Sequence, residues 1–383
     1  MEFCIDKKDL ERLAKAASRG TSQSSPLPVL SHILIQATSD RITLTGTSLD
    51  LEIRISYPVL VLSPGAVLVH AKTFLDIVSK LPSTAVSLRS LENSVERALM
   101  IECGRTKAKI NTLPEEEFPV SKTGDYSPPI FLAQNTFRRV CDRVCFSTAD
   151  SKDSRAVMTG VKVQCENNTL SFISTDGRRL SWQEVSVSGA QHDDFERIIP
   201  GKAMEEAARL CTYSSDENLL VFIGSNRVAF QVDSVFISSA ILEGTFPDHN
   251  GVIPGSCRAI GTVDRESLSK SIKRVLVAST DKQCPNLLMF KFSENEIRIS
   301  SNSANGASIS DSTAANFDLP QDTPHGYNGK YFAEALDGLD CEKVEIRLQD
   351  EVKSTVILAE GQEDFKHVLM PVRLREVVVE AEC

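Results

Sequence analysis

Long apolar runs are missing from this sequence. None approaches the roughly 18–20 residues of a membrane-spanning helix, so no membrane role is expected. Catalytic and nucleotide signatures are missing too: there is no GxxxxGK[ST], no GxGxxG, no HExxH and no GxSxG. The six histidines (His32, His70, His192, His249, His325, His367) share no spacing. The ten cysteines are scattered. The closest pair, Cys141 and Cys145, forms no CxxC and has no histidine at metal spacing. They read as reduced, mostly buried thiols of a cytoplasmic protein, with no metal and no cofactor expected. The first residues, MEFCIDKKDLERL, are charged at once and lack the apolar core of a secretory signal. Without such a signal, the sequon Asn167-Asn168-Thr169 reads as a turn. Acidic pairs lie in turns, not on buried strand ends where their pKa values would be split for acid–base work. No enzyme is expected.

What is present is an ordinary globular composition, 41% hydrophobic and 25% charged, over 383 residues. That length suggests two or three domains. The formal net charge is −10, which taken alone argues against nucleic-acid binding. The distribution of charge along the chain argues otherwise.

The chain repeats itself. FCIDKKDLERLAKAASRG, IFLAQNTFRRVCDRVCFSTAD and AIGTVDRESLSKSIKRVLVAST each read as a strand and an amphipathic helix, followed by a pair of strands. They recur at a domain-sized period of roughly 125–130 residues. After each comes a second strand–helix–strands unit whose helix is opened by a lysine: Lys72, Lys202 or Lys330. In VEIRL, Val344, Ile346 and Leu348 alternate with Glu345 and Arg347, as a half-buried strand requires. Six copies of one unit, paired, give three α+β domains at 1–126, 127–255 and 256–383.

Charge follows the elements. The first helix of each pair is basic: Lys7, Lys8, Arg12, Lys15 and Arg19; then Arg138, Arg139 and Arg143; then Arg265, Lys270, Lys273 and Arg274. The second helices are weaker, with Lys72 and Lys80, then Lys202 and Arg209 beside Glu205 and Glu206. Acid collects in turns and strands, at Glu115–Glu117, 193–196 and 360–364. Cations on equivalent helices inside an acidic protein suit phosphate backbones held without base readout.

With repeats and basic helices in hand, the chain resembles the bacterial DNA polymerase III β subunit, the sliding clamp. The resemblance is carried by LPVLSHILIQA (27–37), ITLTGTSLDLEI (42–53), TLPEEEFP (112–119), STDGRRLS (174–181), GTFPDHNGVIP (244–254) and VLMPVRL (368–374). It covers nearly the whole chain. It implies three clamp domains, each two helices packed on curved antiparallel sheets. Two chains would join head to tail into a ring around duplex DNA, without sequence specificity or catalysis. Implied partners are double-stranded DNA, a second copy as homodimer, replicative polymerase, clamp loader and repair proteins. The proteins would bind through short Gln/Leu/Phe-type peptides.

Carried over by position, the resemblance places the peptide pocket at Met158, Thr175, Gly177, Arg178, Arg179, Leu180, Pro247, Val252, Ser354, Val368, Met370, Pro371, Val372, Arg373 and Leu374. In that reading Arg179 offers its planar donors to the partner and Leu180 an apolar floor. A charged residue at position 180 is expected to abolish peptide binding and leave the dimer intact. Lys72, Lys202 and Arg209 match basic positions of the family for DNA. The helix reading adds Lys15, Arg19, Arg138, Arg139, Lys273 and Arg274. A dimer seam is expected at Thr106, Ala108 and Ile110 against Leu276 and Val277.

The chain departs from the family in four places. TSQSSPLP (21–28) lacks a cation that some members carry, and Arg178 stands where many have His. Gly251 replaces a frequent Arg. REVVVEAEC follows MPVRL, and its VVV run suits an added strand, a place in the cleft or disorder. The alternative function is a scaffold built from the same repeat, with its basic helices merely solvated. Retention on circular but not linearised DNA separates the two.

Overall fold

Six copies of one unit make up the chain, each a strand, a helix and three more strands. The first holds β1 (Glu2–Asp6), α1 (Lys7–Ser18), β2 (His32–Ala37), β3 (Arg41–Thr47) and β4 (Leu51–Pro58), with a short β5 (Val61–Ser63) after it. The second holds β6 (Gly65–His70), α2 (Ala71–Lys80), β7 (Ala85–Glu92), β8 (Arg97–Cys103) and β9 (Thr106–Leu113). The third holds β10 (Ile130–Ala133), α3 (Gln134–Val144), β11 (Gly160–Glu166), β12 (Thr169–Thr175) and β13 (Arg179–Ser186). The fourth holds β14 (Phe195–Pro200), α4 (Gly201–Ala208), β15 (Asn218–Ile223), β16 (Arg227–Val232) and β17 (Val235–Ala240). The fifth holds β18 (Ala259–Asp264), α5 (Arg265–Leu276), β19 (Leu287–Phe292), β20 (Glu296–Asn302) and β21 (Ser308–Phe317). The sixth holds β22 (Thr323–Asn328), α6 (Gly329–Asp337), β23 (Lys343–Leu348), β24 (Thr355–Ala359) and β25 (Phe365–Leu369).

These coordinates come from a computed structural model. It describes the chain except for residues 93–96, 120–123, 188–192, 250, 280–284, 304–305, 319–322, 351–352 and 374–383. Three strands follow the first helix of each pair, where the sequence reading expected two. In the first unit, HILIQA forms a strand of its own before the ITLTGT and LDLEIRIS strands.

Strand pairing follows one rule. The first strand of each unit joins the three strands of its sister unit. This gives β1-β7-β8-β9, β6-β2-β3-β4, β10-β15-β16-β17, β14-β11-β12-β13, β18-β23-β24-β25 and β22-β19-β20-β21. All these pairs are antiparallel. Two of the joints between sheets run last strand to last strand: β4 pairs with β17 and β13 pairs with β25.

The chain forms two compact units, 1–138 with 202–241, and 139–201 with 242 onward. The division falls inside the central pair of repeats because each half of that pair is tied by a backbone ladder, β17 to β4 and β13 to β25. The first unit holds one continuous sheet ending at β10 and β5, the second one ending at β14 and β22.

Helix faces follow their apolar spacing. In α1, Leu10, Leu13, Ala14 and Ala17 are buried at i, i+3, i+4 and i+7, and α1 packs on α2 within the first unit. In α5, Leu268, Ile272 and Val275 do the same, and α5 packs on α6. Asp264 caps α5 by accepting from the Ser267 N–H at 2.7 Å. Asn328 caps α6 by accepting from the Lys330 and Tyr331 N–H groups. Phe290, Phe292, Tyr327 and Phe332 fill the core beneath them. No described helix is long and apolar enough to cross a membrane.

Candidate peptide-docking site and basic helix faces

The stretch TDGRRL is the turn between β12 and β13, as its Asp-Gly predicts. Gly177 sits at φ +88°, in the left-handed region that favours glycine. The turn is tied locally. The Thr175 hydroxyl donates to the Arg179 carbonyl at 2.6 Å and accepts from the Gly177 N–H at 3.0 Å. Asp176 Oδ1 accepts from the N–H groups of Arg178 and Arg179.

Arg179 has a structural role within the chain. Only 8% exposed, it donates through Nε to Asp176 Oδ2 at 3.0 Å, through Nη1 to Glu334 and through Nη2 to the Phe146 carbonyl. Its guanidinium lies 4.0 Å from the Tyr331 ring centre and 5.4 Å from that of Phe146. Each of its three nitrogens has a partner within the chain, which leaves one further N–H on each of Nη1 and Nη2. It fastens the turn to α6. Arg178, by contrast, is exposed.

Leu180 is also more structural than expected. It is 2% exposed and belongs to a cluster with Ile173, Ile198, Phe246, Val356 and Val368. It forms the packed base of the site, not a free wall. A charge there is therefore expected to destabilise this unit as well as to weaken docking. Opposite lie Val368, register partner of Leu180, and Leu369, register partner of Arg179. Met370 continues this edge, its N–H donating to the Arg178 carbonyl at 3.0 Å, and it is 41% exposed. The Val372 N–H donates to the Gly326 carbonyl at 2.8 Å.

The linker closes the other side. Ser354 donates to the Val252 carbonyl at 3.2 Å. Met158 is buried, with its Cε 3.5 Å from where a Gly177 Cβ would stand. Pro247, Val252, Pro371 and Val372 are half-buried, and Arg373 is exposed. The structure thus brings these pocket residues together in one unit. Leu374 and the REVVVEAEC segment lie outside the described residues.

Several contributors were not anticipated. Trp182 and His249 meet edge to face at 6.1 Å, and Phe246 meets His249 at 6.3 Å. Trp182 lies two residues after Leu180, so period-two alternation marks it for the same face. Beneath them runs a buried chain from the Ser147 hydroxyl to the Ser181 hydroxyl at 2.8 Å, and on to His367 Nδ1 at 2.9 Å. Burial, with the Arg179 charge behind it, pushes His367 down to about 3.

The basic residues divide into free and engaged. Lys15, Lys72, Arg139 and Lys202 are exposed, and none forms an ion pair among the described residues. Arg19 and Arg209 both reach Glu206. Arg138 donates to the Ala208 carbonyl at 3.0 Å and lies over Tyr213. Lys273 is bound to Asp337 and Arg274 to Asp311. Of the expected seam, Thr106 is exposed, Ala108 half-buried and Ile110 buried along β9. Val277 is 73% exposed at the end of α5, and Leu276 packs against the core.

Comparison with known proteins places this geometry. Three profiles match in order: DNA polymerase III beta subunit N-terminal domain at 1–122, central domain at 131–248 and C-terminal domain at 250–373. The beta sliding clamp of Escherichia coli K12 is 28% identical over 379 residues, covering 98% of this chain and 100% of that protein. The beta sliding clamp of Pseudomonas putida is 26% identical, with the same coverage. The crystal structure of the DNA polymerase III subunit beta from Pseudomonas aeruginosa matches with a TM-score of 0.88 and 26% identity, over 98% of this chain and 100% of that one. A second structure from that organism, a sliding clamp bound to griselimycin, matches equally well. The chain belongs to the DNA polymerase III beta subunit family, the bacterial beta sliding clamps.

Proposed function

We infer that this chain is a DNA polymerase processivity factor: a head-to-tail dimer that encircles duplex DNA and tethers client proteins through peptide motifs. One observation carries the reading. Of the six last strands, β4 and β17 pair with each other, and so do β13 and β25. Among the described residues, the outer edge of β9 from Thr106 to Ile110 has no strand beside it; β6 meets only Thr112 and Leu113. The edge of β21 is likewise open from Ser308 to Ala314, where β18 meets only 315–317. An open edge is a template for another strand. Joining β9 of one copy to β21 of another repeats the two joints already present. Twice repeated, it gives a closed ring with heterologous contacts. The expected seam residues, Thr106, Ala108 and Ile110 with Leu276 and Val277, stand on or beside those elements.

In this reading the domain limits fall near residues 126 and 255, and the protein is cytoplasmic and non-catalytic. Free helix cations touch phosphates only loosely, so the topological link retains DNA while sliding stays fast. The site around Met158, Thr175, Gly177, Arg178, Val252, Met370 and Pro371 takes extended peptides with one Gln and two bulky apolar side chains. Two measurements test this. The chain should run at dimer mass and be retained on nicked circular DNA but released when the circle is cut. Equal retention on linear DNA rejects the clamp. A Gln-Leu-Ala-Leu-Phe peptide should bind once per chain, and no binding rejects the pocket.

A further inference from the structure

The two last-strand joints are built alike but carry opposite chemistry. Thr47 pairs with Glu52 across the β3–β4 turn, and Thr175 with Leu180 across the β12–β13 turn. The residues two positions after Thr47 and Thr175, Leu49 and Gly177, share the left-handed backbone. In this register Glu52 stands for Leu180, Arg54 for Trp182 and Thr45 for Ile173. The linkers correspond as well. Leu113 meets Leu68 of β6 before Phe118-Pro119, and Leu242 meets Ile198 of β14 before Phe246-Pro247.

Where the second unit has an apolar base, the first has an ion pair. Glu52 is 6% exposed and accepts from Arg54 Nη2 at 2.7 Å. The neighbouring strand changes in step. Leu180 faces Val368 and Trp182 faces Lys366, whereas Glu52 faces Ser238 and Arg54 faces Phe236. Phe246 is buried on its cluster. Phe118 is only half-buried and lines a groove of about 620 Å³ with Leu34, Thr43, Thr45, Arg54 and Ser56 among others. The space for a peptide is there. An apolar side chain entering it would strip water from the Arg54 guanidinium, which the buried Glu52 carboxylate holds beside the groove.

We propose that Glu52 and Arg54 are specificity-determining residues that close the first joint to apolar peptide anchors, so that each chain takes one client peptide and not two. This rests on the pocket reading above. Specificity by a repulsive element at a look-alike site is a general device.

Binding stoichiometry of the Gln-Leu-Ala-Leu-Phe peptide on the full-length dimer tests it, with an Ala-Ala-Ala-Ala-Ala peptide as control. Wild type should take one peptide per chain. The Thr45→Ile/Glu52→Leu/Arg54→Trp variant should take two, and the control none. The reciprocal Leu180→Glu/Trp182→Arg variant should unfold at lower urea, as a charge on the packed base requires, but keep its dimer mass in buffer and lose at least a hundredfold in affinity. Either variant alone decides if the other does not fold. One peptide on the triple variant, binding kept by the reciprocal variant, or two peptides on wild type each overturns the inference. A triple variant that also takes the control peptide overturns it too, since the gain would then be mere stickiness. No binding to wild type instead rejects the pocket reading itself.

Discussion

The helix pair α1/α2 and the helix pair α5/α6 make an instructive contrast. α1 and α2 carry six Lys and Arg against three Asp and Glu; α5 and α6 carry five against three. By composition they are nearly the same. In the first unit Lys7 and Arg12 are paired, with Glu11 and Asp9, while Lys8, Lys15, Lys72 and Lys80 form no ion pair among the described residues. In the second unit every one of the five is held: Lys270 by Glu266, Lys273 by Asp337, Arg274 by Asp311, Lys330 by Glu334, and Arg265 by the Cys341 and Leu336 carbonyls. Charge counts alone therefore do not say where phosphates would be met. The α5/α6 pair puts its charges into internal ties, and the α1/α2 pair leaves four of its six unpaired among the described residues.

The tie expected to matter most is Arg179. Replacing it by Ala leaves Asp176, Glu334 and the Phe146 carbonyl without their donor. Urea unfolding should show a loss of about 3 kcal/mol in the second unit. A loss below about 1 kcal/mol would mean the Arg179 network is not what separates the two units.

Acid should sharpen the contrast. His367 is held well below its ordinary value of 6.5 in the fold, so the unfolded chain binds the extra proton. Its contribution is complete above about 6.5 and is lost as pH falls toward about 3. The slope is about 1.4 kcal/mol per pH unit. His32, in the first unit, is lowered in the same direction by burial. Unfolding midpoints followed from pH 7 to 4 should fall less steeply in His367→Gln than in wild type. Equal slopes would remove His367 as the cause.

The cations give the functional form of the comparison. Lys15→Ala/Lys72→Ala should lower affinity for duplex roughly tenfold and flatten its salt dependence by about one to two units of log–log slope. Lys273→Ala/Arg274→Ala should change both far less. The reverse ranking would show that Asp337 and Asp311 release their cations when DNA is present. The smallest effect is at the turns. Leu49 adopts φ +77° where its counterpart Gly177 is a glycine. Leu49→Gly should stabilise the first unit by about 1 kcal/mol in thermal unfolding.

Much of the architecture is legible in the chain itself. Apolar periods of two and 3.6 residues mark the strands and helices, and their sixfold recurrence marks the units. Asp176-Gly177 marks the turn. The pocket segments STDGRRLS, GTFPDHNGVIP and VLMPVRL are each recognisable, because each is a local pattern. The internal ties of Arg179 are not legible, because Phe146 and Glu334 lie far from it in sequence. The ion pairs of Lys273 and Arg274 are not legible in the helix that carries them, because Asp337 and Asp311 belong to other elements. The equivalence of Glu52 with Leu180 appears only through strand register.

Local periodicity and turn chemistry are short-range properties, so the sequence by itself determined the α+β class, the six units and the segments that make up the proposed peptide site. Which charges stay free, which side chains form the base of the site and which strand edges stay open depend on contacts between residues far apart in the chain. Those the tertiary structure decided, because a charge or a backbone edge is satisfied only by what folding brings beside it.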